Sequence, residues 1–194
     1  MAAPPRFVLA SASPRRAALL AQVGITPDAI VAADLDETSR EAELPRDYAR
    51  RMATEKALAI AASHADAIVL AADTVVACGR RILPKAEANA QVVNCLKLLS
   101  GRRHRVFTAI SIIGPGAEPR IKIVMTHIAF KRLSADEISH YVASGEGLGK
   151  AGGYAIQGLA EFFVRQINGS YSNVVGLPLL ETVSLLSSAG YRTN

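Results

Sequence analysis

Short unbroken apolar runs alternate along the chain with stretches of helical spacing. The run "RFVLA" predicts a buried strand at Arg6–Ala10 and stops at Ser11 and Ser13. After it, Ala17, Leu19, Leu20 and Val23 give a helix an apolar side, with Ser13 suited to the N-cap, Pro14 to the first helical position and Gly24 to C′. "DAIVAADLDE" reads as a weak strand entering an acidic turn at Asp34, Asp36 and Glu37. Pro45 to about His64 predicts a long Ala-rich helix carrying Glu55 and Lys56. "DAIVLAADTVVACGRRILPK" predicts two or three short strands, with a turn at Gly79-Arg80. Ala88–Leu99 is helical and stops at Gly101. "RVFTAISIIG" and "IKIVMTHIAF" flank the turn signal "PGAEP" and predict an antiparallel pair. Ser134 with Glu137 forms a capping box for a helix ending near Gly145. The glycine-dense "GEGLGKAGGYAIQG" reads as a loop over a site, "EFFVRQING" as a strand, and "SYSNVVGLP" as a turn or short helix. Leu179–Ala189 is a final helix closed by Gly190. Strands and helices mix without strict alternation, so the expected fold class is α/β of the mixed α+β kind, a mixed sheet flanked by helices. There is no internal repeat and no linker, so residues 1–194 are expected to form a single domain.

Composition narrows the function. Half of the residues are hydrophobic (50%) and none is Trp, so aliphatic side chains must fill a sizeable core. The net charge of +5 suits an anionic ligand such as a nucleotide. Nucleic acid is disfavoured as a partner: there is no long Lys/Arg run, no nucleic-acid fold signature, and few aromatics for base stacking. Cys78 and Cys95 form no CxxC motif and read as reduced core thiols, and the four histidines lack zinc-ligand spacing. No stretch approaches the roughly 18 apolar residues of a membrane span, and "MAAPPRFVLAS" lacks a signal-peptide core. A cytoplasmic protein without a membrane partner is expected.

Two adjacent cations, Arg15 and Arg16, stand at a helix start, where the backbone is already partly positive. That arrangement repels itself and calls for an anion. Loop amides, the Ser11 and Ser13 hydroxyls and both arginines lie near one helix N-terminus, a geometry that cradles phosphate, although no Walker loop is present. Asp73 interrupts an otherwise apolar run from Ala67 to Ala77. It is either a strand-end residue capping a turn or a metal ligand or general base facing a cleft. Lys56 reads either as a solvated helix residue or as a site cation, and Lys85, after Pro84, is similarly open. Glu37 caps a helix or serves the site; Gln157 holds a loop or reads a base edge. Phosphate anchors, cations, two carboxylates and an amide together suit metal-assisted attack on a nucleotide phosphate.

The segments "LASASPRR", "ARRMATEKALA", "AADTVV", "GYAIQG" and "INGSYSNVVGLPL" resemble, in order and spacing from Val8 to about Thr182, the Maf family of nucleotide pyrophosphatases. The resemblance implies hydrolysis of a nucleoside triphosphate to the monophosphate and pyrophosphate with Mg²⁺ or Mn²⁺. It also implies a long mixed sheet with helices, two lobes and a central cleft, like that of inosine-triphosphate pyrophosphatases, and it allows a homodimer. By the same resemblance Asp73 is the catalytic base; Ser11, Ser13 and Arg16 bind phosphate; Lys56, Lys85 and Glu37 are charged cleft residues, with Glu37 and Asp73 as metal ligands. Arg15, Thr74 and Gln157 match the trio of the branch acting on dTTP and UTP. The 7-methyl-GTP branch reads S-P-W-R, S-D-Q and S-E-G where this chain has S-P-R-R, A-D-T and I-Q-G. The alternatives are a 7-methyl-GTP pyrophosphatase and a non-catalytic nucleotide- or nucleic-acid-binding regulator of septum formation. The family usually continues its second lysine as K-P with an acidic residue soon after; Lys85-Ala86-Glu87-Ala88 departs from this and predicts a less rigid loop.

Overall fold

Successive residues of Ala67–Cys78 enter different apolar clusters, as the alternating faces of one extended strand do. The computed structural model describes residues 5–191 and contains that strand, β3, at the centre of a seven-stranded sheet. The elements before it are β1 (Arg6–Ala10), α1 (Pro14–Gln22), β2 (Ala29–Val31) and α2 (Pro45–Ala61). After it come β4 (Arg81–Leu83), α3 (Asn89–Leu99), β5 (Arg103–Ile113), β6 (Arg120–Phe130) and α4 (Ala135–Ala143). A 3-10 turn at Leu159–Phe163, β7 (Val164–Asn168), α5 (Tyr171–Val175) and α6 (Leu179–Ser188) complete the described chain.

The strand order is β2-β1-β3-β5-β6-β7, with β4 also on β3. β1 runs parallel to both its neighbours and every other pairing is antiparallel. β5 covers one edge of β3 from Val69 to Ala77. The other edge is shared: β1 pairs with Ala67–Ala71 and β4 with Val76–Cys78. Between them the edge of β3 is open, at the carboxyl end of β1. Such a switch in strand arrangement is where open α/β sheets place ligands.

Ile68, Leu70, Ala72 and Val76 face the larger core with Phe7, Leu9, Leu20, Leu96 and Ile110. Ala67, Val69 and Ala71 face Val8, Ala57 and Ile60, while Val75 and Ala77 meet Ala49 and Ala53, all beneath α2. Asp73 therefore points to the α2 side and Thr74 to the opposite side.

Several expectations change. Asp73 ends no strand; it pairs in register with Ala109 in mid-strand and is 7% exposed. "EFFVRQING" is strand only from Val164: Glu161 N–H donates to Gly158 O at 3.0 Å, closing a 3-10 turn that buries Phe163 and exposes Phe162. Ser13 is the N-cap residue of α1, but its side chain makes no capping hydrogen bond. The capping box of Ser134 and Glu137, the β5–β6 pair and left-handed Gly24 (φ 73°) stand as expected. Cys78 and Cys95 are free thiols. Among the described residues no helix is long and apolar enough to cross a membrane.

His104 stacks edge-on against Phe130 and Tyr154, and its Nε2 lies 2.8 Å from the Tyr154 hydroxyl. Burial pushes its pKa down to about 4. Between pH 6.5 and 4 the unfolded chain binds a proton here that the folded chain does not, so stability falls with falling pH in that window, by about 3 kcal/mol in all. The lowered carboxylates Glu37, Glu43 and Glu137 start from 4.5 and lose their contribution only below it. Urea midpoints at pH 7 and pH 5 test this: the midpoint should drop for the native chain, and the step should flatten in His104→Phe.

Candidate active site

The open edge of β3 forms the floor of a cleft of about 880 Å³. All ten residues singled out above line it: Ser11, Ser13, Arg15, Arg16, Glu37, Lys56, Asp73, Thr74, Lys85 and Gln157. The β1–α1 loop supplies Ser11 and Ser13, and the first turn of α1 supplies Arg15 and Arg16, at the carboxyl end of β1. Pro14 has no N–H, Arg16 N–H donates to Ser13 O at 3.2 Å and Ser13 N–H donates to Ser11 Oγ at 3.1 Å, so among the described residues the start of α1 leaves the Arg15 N–H and the Ser13 hydroxyl for a ligand.

Arg16 is held by three acceptors. Nε donates to Gly176 O at 2.9 Å, Nη1 to Ser11 Oγ at 3.0 Å and Nη2 to Thr74 Oγ1 at 3.3 Å. Arg15 Nε donates to Val175 O at 3.4 Å. The carboxyl end of α5 thus aims both arginines. Burial lowers the pKa of each; for Arg16, nearby Asp73 pulls it back up and Arg15 pushes it further down. Desolvated, mutually repelling cations at a helix N-terminus are relieved by a polyanion.

On the α2 side Lys56 is buried rather than solvated, correcting the surface alternative for it. Its Nζ lies 2.7 Å from Asp73 Oδ1 and 2.7 Å from Glu37 Oε1. It lies on the buried stripe of α2 with Ala49, Met52, Ala53 and Ile60, so the helix carries it onto β3. Glu37 comes from an irregular segment fastened by Tyr48, whose hydroxyl donates to Glu37 O at 2.7 Å. Burial would raise the Glu37 pKa, but the bond and charge of Lys56 outweigh it and hold the carboxyl below its ordinary value. Burial, with Asp73 and Glu37 nearby, pushes the Tyr48 hydroxyl up to about 12, so it stays a neutral donor.

The far wall is the glycine-dense segment. Gly152 is left-handed (φ 68°), and a Cβ there would meet Val76 Cγ1 at 2.8 Å, so only glycine lets this wall lie on β3. Lys85 bridges to Ala151, Ala86 N–H donates to Lys150 O at 3.1 Å, and Gly149 N–H donates to Ala86 O at 2.7 Å. These bonds tie down the loop that lacks the family's proline. Gln157 is exposed in the cleft and makes no hydrogen bond among the described residues, so the loop-holding alternative is not what the structure shows.

Sequence reading missed Tyr48 and Lys150. Lys150 lines the cleft, and burial, then Arg15, then Lys85 lower its pKa. Its signal was present: it is the cation inside the segment read as covering a site.

A divalent cation would take its protein donors from Glu37 and Asp73. Among the described residues no cluster of three His, Cys, Asp or Glu side chains forms a closed metal site. Two carboxylates reach one point, marked by Lys56 Nζ, and their Oε2 and Oδ2 atoms take no hydrogen bond among the described residues. That fits Mg²⁺, which takes one or two carboxylates and completes its shell with water and substrate phosphates.

Fold and cleft together define an α/β protein that sets two carboxylates, bound to one lysine, beside a wall of cations and the N-terminus of a helix. The chain belongs to the Maf-like protein family, whose profile matches residues 6–189. A protein of Caulobacter vibrioides named dTTP/UTP pyrophosphatase is 58% identical over 99% of this chain and 100% of its own. One of Rhodospirillum rubrum, with the same name, is 60% identical over 96% of this chain and 89% of its own. Among solved structures, a nucleoside-triphosphatase / dITP/XTP pyrophosphatase of Mycobacterium abscessus is 17% identical, with a TM-score of 0.44, covering 67% of this chain and 75% of that one.

Proposed function

We propose that this protein hydrolyses dTTP and UTP to the monophosphate and pyrophosphate. The observation that carries the reading is the meeting of Asp73, Glu37 and Lys56 at the floor of a cleft whose walls bear Arg15, Arg16, Lys85 and Lys150. The names of the relatives support it. Lys56 spends its charge on the two carboxylates, which leaves the wall cations and the Arg15 N–H at the start of α1 to neutralise a triphosphate. Glu37 and Asp73 would hold Mg²⁺ or Mn²⁺, which supplies charge stabilisation at phosphate oxygens. Asp73 accepts the proton of the attacking water while the water oxygen bonds to phosphorus and the α–β bridge breaks, releasing pyrophosphate. Arg15, Thr74 and Gln157 face the nucleoside. Purified protein, a nucleotide panel, and Mg²⁺ or Mn²⁺ against a chelator test this. Monophosphate and pyrophosphate should form from dTTP and UTP and stop with chelator; orthophosphate as the first product would overturn the stated bond.

Gln157 supplies the base test. Uracil and thymine set a carbonyl beside a ring N–H, and a glutamine amide donates to the first and accepts from the second. Guanine offers adjacent donors, which suit a carboxylate. Gln157→Glu should cost about 1–3 kcal/mol against UTP, roughly 5- to 150-fold in kcat/KM, while guanine nucleotides gain relative to pyrimidines. Measuring kcat/KM for UTP, dTTP, GTP and 7-methyl-GTP decides it. An unchanged UTP-to-GTP ratio means Gln157 does not read the base.

A further inference from the structure

From Thr74, which lines the cleft, a chain of hydrogen-bonded side chains runs inward on the face of β3 away from Asp73, and its inner members Thr108, Asn173 and Thr126 are fully buried and have no part in the proposed reaction. Thr108 of β5 is fully buried, in register with Thr74, between Val106 and Ile110. Its one hydroxyl hydrogen is given to the backbone carbonyl of Asn173, at 3.0 Å. The 2.9 Å contact between Thr108 Oγ1 and Thr74 Oγ1 must then be donated by Thr74. Gly176 O, at 3.4 Å, is a longer alternative acceptor for that hydrogen. With its hydrogen turned inward, Thr74 shows Arg16 only lone pairs, and Arg16 Nη2 donates to it.

The acceptor end of the chain is anchored independently. Asn173 is fully buried and its Nδ2 donates to Val106 O at 3.2 Å and Thr126 Oγ1 at 2.9 Å. Thr126 in turn accepts from Ser170 N–H at 3.0 Å. The start of α5 is thereby fixed on β5 and β6, and with it the turn whose Gly176 carbonyl takes Arg16 Nε.

We propose that Thr108 is a positioning residue: by accepting the Thr74 hydroxyl hydrogen it keeps Thr74 an acceptor and so aims the Arg16 guanidinium into the cleft. This rests on the reading of Arg16 as a phosphate-binding group. The direction of a single proton is what matters. If it rotated outward, Thr74 would turn a donor toward a cation and Arg16 would lose one of its three anchors.

The test is a double-mutant cycle, read both as kcat/KM for UTP and as affinity for inorganic tripolyphosphate by calorimetry. Thr108→Val keeps the shape and removes the hydroxyl. It should lower both quantities by about five- to tenfold, the size of one lost hydrogen bond, whereas Thr108→Ser should stay within about twofold of the native protein. In a Thr74→Val background the same Thr108→Val change should cost less than about twofold, because the relay is already broken. An equal loss in both backgrounds, or no loss in the native one, would overturn the proposal in favour of a merely structural threonine. If Thr108→Val fails to fold, Thr108→Cys, of similar volume and with a weak thiol donor, takes its place in the cycle under the same criteria. Should the native protein not turn over UTP at all, the proposed activity fails, yet the tripolyphosphate cycle still decides whether Thr108 aims Arg16.

Discussion

Asp73→Asn is expected to lower turnover of UTP and dTTP by about 10²-fold or more, the usual size for a positioned general base, with the fold intact. The substitution keeps shape and removes charge and basicity. Asn in mid-strand can still accept from Lys56, which keeps its 2.7 Å contact with Glu37. The β-ladder is untouched because Asp73 pairs with Ala109 through the backbone. Steady-state kcat at rising Mg²⁺ and Mn²⁺, beside a thermal melt, is the measurement. A deficit that persists at saturating metal assigns proton acceptance to Asp73. Recovery at high metal assigns it to metal holding alone, and near-normal turnover throughout would remove it from the chemistry.

How much of this was legible depended on the range of the interaction that fixes each residue. The opening strand, loop and helix could be read whole, because caps, proline and apolar spacing act within a few residues. The ten cleft residues could be chosen, but not joined: eight lie in the motif segments, while Glu37 stands in an acidic turn and Lys85 at a strand end outside them. The span "DAIVLAADTVVACGRRILPK" resolves into β3 and β4 joined at Gly79-Arg80, as expected, whereas the strand-end alternative for Asp73 failed because β3 runs on through it. A charge can stand in mid-strand when a cation from another element meets it, and Lys56 lies 17 residues away. Lys56 looked solvated because, by composition alone, a mid-helix lysine is more often a solvated face residue. The stripe of Ala49, Met52, Ala53 and Ile60, on which Lys56 falls, is the signal that outweighs it. The Thr74–Thr108–Asn173 chain had no local signal: its partners are 34 and 65 residues apart and meet only when β5 closes on β3 and α5 docks.

Lys56→Met carries the largest expected effect on stability. Methionine keeps the length and apolar volume of the stem, so packing along α2 is preserved and only the cation is lost. Asp73, 7% exposed, then faces Glu37 with nothing between them. Breaking a buried pair by removing one partner costs about 3–5 kcal/mol; because Glu37 is half in solvent, the lower end applies, about 3 kcal/mol at pH 7. For a chain of this size that is a fall in Tm of about 6–12 °C. The sign of the pH dependence separates charge from packing. Glu37 is held below its ordinary value of 4.5 by Lys56, against the burial that would raise it. Its contribution to the native protein is present above 4.5 and lost as the pH falls through the lowered folded value. In Lys56→Met the burial remains and the Lys56 contact does not, so that contribution is gone at neutral pH. The two proteins should therefore differ most near pH 7 and converge as the pH drops below the range in which Glu37 titrates. Urea unfolding of both from pH 7 to pH 3 reads this directly. A stability gap that stays constant with pH would mean that the lysine stem, not its charge, matters. Turnover should fall together with stability, by about 10²-fold, since Asp73 loses the contact that fixes its carboxylate at the floor of the cleft.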